Sequence, residues 1–434
     1  MISKIKSKIK WPYLLNGCKN MWAKKYKLLF VLMFLFAIGL LSFTLLQEIS
    51  KIKIDWIATF LSGCITVAMT ATAIVGVLLI VSLIGTPLSA NRIHKCLANV
   101  GFTDKAGETP LLLSRYREGK AEVFRFYSPT IPLSEYEKRK NVLENALNFQ
   151  VVSVAVEDDL QHIVIKTVPA KVKLPDKIDW NNDMLSKKTN EFVLGESVLD
   201  VVKVDIDTTP HILIGGSTGS GKSVLFKLIL AQSILKGYYT YVADFKGGIE
   251  FSGVWKRKCE VISNARISMT QARENLLKRL DFLEKEMKER NTLFEENGCL
   301  NITQYNNKFG CDMQRILFAC DEIAEILDRT GLDKDSKDII AQIESKLSNI
   351  ARQGRAYGIH LLIATQRPDS EIVKGQIKSN FSYRICGWAD DILSKIVLDS
   401  SDAAEKVPKD KQGVFLTNDG VLFKAYYLDE DKVF

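Results

Sequence analysis

The chain of 434 residues is poor in histidine, with four, and its eight cysteines form no Cys-x-x-Cys pair and have no histidine at metal-ligand spacing. That argues against a histidine-based metal centre and reads the thiols as reduced cysteines of a cytosolic body. There is no internal repeat and no low-complexity segment. The first 27 residues contain no acid, yet carry eight lysines: Lys4, Lys6, Lys8, Lys10, Lys19, Lys24, Lys25 and Lys27. These equal the whole formal net charge of +8, which leaves the remaining chain neutral. The basicity is a property of one tail, residues 1–27, and is no evidence for a DNA-binding surface.

Charge is also absent from residues 28–46 and 56–85. Each stretch can cross roughly 30 Å of hydrocarbon as a helix. A cleaved signal peptide does not fit, because no small-residue cleavage site precedes a soluble domain and a second apolar segment follows at once. Lysines precede the pair, and Arg92 and Lys95 follow it. The positive-inside rule then predicts a hairpin of two transmembrane helices over 28–85, in the cytoplasmic membrane, with both termini cytoplasmic. Residues 86–120, with Pro87, Gly101, Gly107, Pro110 and Gly119, read as a linker with short helical pieces. A small α/β module is expected over 121–190: AEVFRFYS and HIVIKTV have strand patterns, and the stretch between them has helical spacing.

The most specific stretch is HILIGGSTGSGKSVLF, residues 211–226. An apolar strand, a glycine loop and an apolar-periodic helix are the context a phosphate-binding loop requires. Gly216, Ser217, Thr218, Gly219, Ser220 and Gly221 would turn backbone N–H groups toward phosphate oxygens. Lys222 would reach the β- and γ-phosphates, and Ser223 would ligate Mg²⁺. RILFACDEIAEIL supplies the complementary acids after a buried strand: Asp321 as the Mg²⁺-side carboxylate and Glu322 as the base that polarises water. The motor region lacks a Leu-Ser-Gly-Gly-Gln signature, which argues against a transport cassette. NKFG at 307–310 lacks the aspartate of a guanine-reading motif, so ATP is favoured over GTP. Downstream, ARQGRAYGIHLLIATQRP places Arg352 and Arg355 near a helix end and a further strand running into Thr365, Gln366 and Arg367. Gln366 is placed to sense a γ-phosphate. A solvated basic helix end is the plain alternative for the arginines, since cations suit a helix C-terminus.

At this point the chain resembles the FtsK/SpoIIIE family of membrane-anchored DNA translocases, over roughly residues 120–431. The carriers are FVLGESVLDVVKVDIDTTPHILIGGSTGSGKS, VADFKGGIEF (Phe245 standing where the family has proline), EMKERNTLFEENGCLNITQYN and KGQIKSNFSYRICGWADDILSKIVLDSSDAAEKV. The resemblance implies an α/β fold with a RecA-like P-loop motor over 191–434, assembled as a homo-hexamer around double-stranded DNA. It implies that Arg355 acts on a neighbour's ATP and that Arg384 is a candidate sensor.

A chain with two spans, and with no long linker or winged-helix domain before Phe434, is similar to the coupling proteins of Gram-positive conjugative elements. Those work with a relaxase and transfer-channel proteins. Two other functions stay open: a related ATPase driving protein secretion, and a membrane scaffold that binds ATP without turnover. WKRK at 255–258 is a candidate DNA contact or an ordinary solvated face.

Overall fold

The structure is a computed structural model that describes residues 10–366 and 378–434. Lys4, Lys6, Lys8, Arg367 and the start of the KGQIKSN segment lie outside the described residues. The chain forms two compact units, Met1–Val172 and Lys173–Phe434.

In the first unit the two apolar stretches are helices, Tyr26–Ile49 and Asp55–Gly85. The basic tail is not featureless: Trp11–Ala23 is a helix with Pro12 in its first turn. Tyr13, Leu14 and Gly17 form its buried face, a spacing that the surrounding lysines obscured.

The expected linker is also partly ordered. It contains a helix, Ala90–Asn99, and a strand, β1 (Leu111–Glu118). β1 joins β2 (Ala121–Tyr127), β3 (Phe149–Val156) and β4 (His162–Pro169) in an antiparallel sheet of order β1-β2-β4-β3. β1 escaped sequence reading because it is an edge strand that is buried only over its first three residues. Gly119 and Lys120, which look like linker punctuation, are the two-residue turn of a hairpin pairing Glu118 with Ala121. Helices Ala90–Asn99, Leu133–Lys138 and Lys140–Leu147 cover this sheet through Leu97, Phe102, Tyr136, Leu143, Phe126 and Ile165. The module therefore starts near residue 90 rather than 121, and its last strand ends at Pro169.

Residues 173–190 fold with the motor, not with the module. Trp180 is buried there, and its N–H donates to the Tyr427 carbonyl at 2.8 Å. The motor strands are β5 (Glu191–Ser197), β6 (Val201–Asp205), β7 (His211–Gly215), β8 (Tyr239–Asp244), β9 (Glu260–Ser263), β10 (Ile316–Cys320), β11 (Ile359–Thr365), β12 (Tyr383–Cys386), β13 (Val414–Thr417) and β14 (Leu422–Ala425). Their order in one sheet is β6-β5-β14-β13-β12-β7-β11-β10-β8-β9. From β12 to β9 the pairing is parallel, and the rest is antiparallel.

β7, β10 and β11 are buried along their whole length, as strands covered on both faces must be. Ile212, Ile214 and Ala319 meet helix Lys222–Leu235 on one face. Leu213, Phe318 and Ile363 meet helices Met269–Glu296 and Lys334–Gln353 on the other. Ser268 and Asp333 cap those two helices with their side chains. β11 stands between β7 and β10, so the phosphate loop and the acid pair flank a third strand end.

His211 and His360 begin neighbouring strands and are fully buried. His211 Nδ1 accepts the Leu361 N–H at 3.0 Å, and burial pushes its pKa down to about 4. The unfolded ring titrates near 6.5, so this stability is whole above that pH and drains away as pH falls toward 4. At pH 5 the expected loss from His211 is about 2 kcal/mol. Urea unfolding at pH 7 and pH 5 reads it, and a His211→Gln variant should lose less between the two.

Candidate functional site

β7 ends at Gly215, and the loop 216–221 leads straight into helix Lys222–Leu235. Gly221 is the residue before that helix, with φ of 95°. A Cβ there would stand 2.9 Å from the Gly413 nitrogen, so only glycine suits the position. Flanking segments clamp the loop. The Ser217 N–H donates to the Trp388 carbonyl (2.8 Å), the Gly387 N–H to Gly215 (2.9 Å), and the Gly413 N–H to Ser220 (2.8 Å). Thr218 and Gly219 remain exposed. The Ser220 hydroxyl is buried with no protein partner.

The acids sit where the sequence places them, immediately after β10. Asp321 is 1% exposed and lies between two ammonium groups. Lys222 Nζ is 3.3 Å from Oδ1 and 3.1 Å from the Asp321 carbonyl. Lys246 Nζ is 2.9 Å from Oδ2. Burial opposes the charge on Asp321, but the two lysines outweigh it and hold the carboxyl below its ordinary range. Glu322 accepts the Gln366 N–H on both oxygens, at 3.2 and 3.0 Å, and has Lys246 Nζ at 3.7 Å. The Gln366 side-chain oxygen accepts from the Thr218 hydroxyl at 3.0 Å. Gln366, at the end of β11, thus links the acid pair to the phosphate loop.

Two further members of this cluster, Asp244 and Lys246, belong to VADFKGGIEF, a segment the resemblance covers but to which the sequence assigns no site role. Asp244 ends β8 and Lys246 lies in the turn after it, with Phe245 between them where the family has proline. Burial costs the Lys246 charge, yet Asp321 and Glu322 raise its pKa on balance. Asp244 accepts the Lys246 N–H at 3.1 Å, and burial pushes its own carboxyl up.

The donor set fits a nucleoside triphosphate with Mg²⁺. Lys222 and the loop N–H groups suit phosphate, and the Ser220 hydroxyl lacks a protein partner. The Ser223 hydroxyl and Asp321 are hard oxygen ligands. A cavity of about 560 Å³ opens beside Gly221 and Val224, walled by Pro175, Gln412 and Tyr426, with room for a base and ribose.

The remaining predicted residues are elsewhere. Arg355 is exposed, and its Nε–H donates to the Asp207 carbonyl at 2.7 Å. It precedes β11, whose far end, Thr365, pairs with Gly215. The strand alone separates it from the phosphate loop by roughly 20 Å. Arg352 is exposed near the same helix end. Arg384 lies within β12, and its guanidinium pairs with Asp399 at 2.8 Å. In WKRK, Trp255 is a buried anchor whose indole N–H donates to Glu430 at 2.6 Å, while the three cations are exposed.

A phosphate loop after β7, an acid pair after β10 and an amide just past β11, the strand between them, define a P-loop ATPase. The FtsK/SpoIIIE family profile matches residues 180–370. The chain is 30% identical over 224 residues to DNA translocase FtsK of Chlorobaculum tepidum, covering 49% of this chain and 27% of that protein. It is 31% identical over 231 residues to FtsK of Clostridium acetobutylicum, covering 52% and 29%. The chain therefore spans less than a third of the length of these relatives. Among solved structures it is similar to the pCW3 conjugation coupling protein TcpA, in its monomer form with ATPγS. That match is 32% identical with a TM-score of 0.57, and covers 80% of this chain and 97% of that one. The chain belongs to the FtsK/SpoIIIE family.

Two substitutions test the site. Glu322→Gln keeps the Gln366 hydrogen bond but cannot take a proton, so turnover should fall by about 10²–10⁴-fold with ATP affinity little changed. Lys246→Met should lower kcat by roughly tenfold or more, since Asp321 and Glu322 lose their shared tether. Radiolabelled ATP hydrolysis and filter binding separate the two effects.

Proposed function

We propose that this protein is a membrane-anchored, ATP-driven translocase of double-stranded DNA, acting as the coupling ATPase of a conjugative plasmid or integrative element. The observation that carries the reading is the joined Lys222–Asp321–Glu322–Gln366 constellation, in a chain similar to TcpA over 97% of that solved chain. The likeness to DNA translocases over the motor supports DNA as the cargo.

In the proposed reaction Lys222 faces the β- and γ-phosphates, and Ser223 and Asp321 are the ligands offered to Mg²⁺. The metal supplies charge neutralisation at the phosphates. Glu322 orients the attacking water and receives its proton. Gln366 joins Glu322 to Thr218, so a shift of the loop on hydrolysis reaches the end of β11. Arg355 lies too far from its own loop to touch the same nucleotide, which supports a role at a neighbour's site in a hexameric ring. Arg384 remains a candidate sensor that would act through Asp399 and β12.

The two apolar helices, Tyr26–Ile49 and Asp55–Gly85, are about 36 and 46 Å long and would cross the cytoplasmic membrane with both termini on the cytoplasmic side. A relaxase and transfer-channel proteins are the partners this role requires.

ATP turnover with and without duplex DNA tests the reading directly. Strong stimulation by duplex DNA is expected. Stimulation by a secreted protein and not by DNA would favour a secretion motor, and binding without turnover a scaffold. Arg355→Ala should bind ATP but lose most of its turnover, by about 10³–10⁵-fold if it acts as an arginine finger. Mixing it with Lys222→Ala should restore activity, because some interfaces then pair an intact loop with an intact Arg355. Arg352→Ala is the matched control and should cost little.

A further inference from the structure

The Trp11–Ala23 helix is held against the end of the second apolar helix by contacts that leave no room for larger residues. A Cβ on Gly17 would overlap the Val81 carbonyl, and one on Gly85 would overlap the Tyr13 carbonyl. The two contacts are one turn apart on each helix, so the pair packs lengthwise and antiparallel. Asn16 Nδ2 donates to the Gly85 carbonyl at 2.6 Å and to the Leu113 carbonyl at 2.7 Å. Asn20 Nδ2 donates to Ile84 at 3.2 Å. At Ile84 and Gly85 these amides satisfy carbonyls that the end of the long helix leaves without intrahelical partners. The docking is thus specific, and it fixes which face points outward.

That outward face is apolar. Trp11, Leu15, Cys18 and Trp22 recur at intervals of four, three and four residues, and all are exposed. Trp11 is 70% and Trp22 87% exposed. Lys19, Lys24 and Lys25 are exposed around the stripe, and residues 1–27 contain no acid. Tryptophan stripes bordered by lysine suit the boundary between headgroups and acyl chains. The place also suits it. At about 46 Å the Asp55–Gly85 helix is longer than the roughly 30 Å hydrocarbon layer, so its last turns, where the helix docks, extend to headgroup level.

We infer that the Trp11–Ala23 helix is a lipid-contacting element: running antiparallel along the end of the second span, it carries Trp22 to the headgroup boundary of the cytoplasmic leaflet and holds Trp11 farther out, with its lysines selecting anionic headgroups. The inference rests on the spanning of the membrane proposed above. Charge decides the occupant: a second copy would bring the same lysines against these, whereas an anionic lipid surface attracts them. The helix would set the height and tilt at which the two spans meet the membrane surface.

The test uses the full-length protein reconstituted in vesicles of phosphatidylcholine and phosphatidylglycerol, with bromine on the upper acyl chain of one lipid or the other. Tryptophan emission is compared between the wild type and Trp11→Phe, Trp22→Phe and Trp56→Phe, so that each difference isolates one residue. Trp56 opens the second span and reports the spans themselves. Bromine should quench the Trp22 share most, and the Trp11 share less, because Trp11 stands about 16 Å farther along the helix. Brominated phosphatidylglycerol should do so roughly twofold or more better than brominated phosphatidylcholine at equal mole fraction. A Lys19→Gln, Lys24→Gln, Lys25→Gln variant should lose that preference while still being quenched. Quenching of Trp56 with Trp11 and Trp22 untouched would overturn the inference and leave the spans standing. High-yield Cys18–Cys18 cross-linking between copies, with both tryptophans shielded from bromine, would overturn it in favour of a protein contact. An unquenched Trp56 would remove the spanning itself, and the inference with it.

Discussion

The nucleotide site is organised around one buried charge. Asp321 has almost no solvent exposure, and a lone carboxylate there would not stay ionised. It does so because Lys222 arrives from the phosphate-loop helix and Lys246 from the turn after β8, each on a different carboxylate oxygen. The cluster draws together the ends of β7, β8 and β10, three strands that are not all neighbours in the sheet. A phosphate that attracts Lys222 competes with Asp321 for it, so binding and the state of the acid are electrostatically coupled.

The order of the strands turns that cluster into a coupled device. With β11 inserted between β7 and β10, Gln366, the residue just after it, lies between the loop and the acids, bound to Thr218 through its side chain and to Glu322 through its backbone. The start of the same strand follows Arg355, which is tied by the Asp207 carbonyl to the loop before β7, at the opposite ends of the strands. One fully buried strand therefore connects the nucleotide site with the region proposed to meet a neighbour. In the proposed ring, such a geometry would couple the nucleotide site to the subunit interface.

Ahead of the motor, the first unit spends much of its specific packing on the N-terminal helix. Glycines allow close approach, asparagines satisfy the end of the second apolar helix, and Tyr13 reaches His94 at 3.3 Å. These contacts tie the tail, the apolar pair and the start of the small module into one compact unit.

Legibility followed the range of the physical signal. The phosphate loop, the acid pair, the two apolar helices and the buried strands were readable because each is encoded within a few consecutive residues by glycine geometry, charge or continuous apolarity. Gln366 was readable for the same reason, at the end of such a strand. β1 and the Trp11–Ala23 helix were missed because their partners lie elsewhere: an edge strand needs β2 beside it, and a lysine-rich helix shows its apolar face only against Val81 and Gly85. Lys246 is the sharpest case. Its segment resembles the family's, but no local signal names its partner, and only the parallel pairing of β8 with β10 brings its ammonium to Asp321. Sequence alone determined the class of chemistry, because the bonds to phosphate are made by a contiguous loop. Tertiary structure decided which charges share the buried site and which arginine faces away from it, because those depend on strand order, and strand order is a long-range property of the folded sheet.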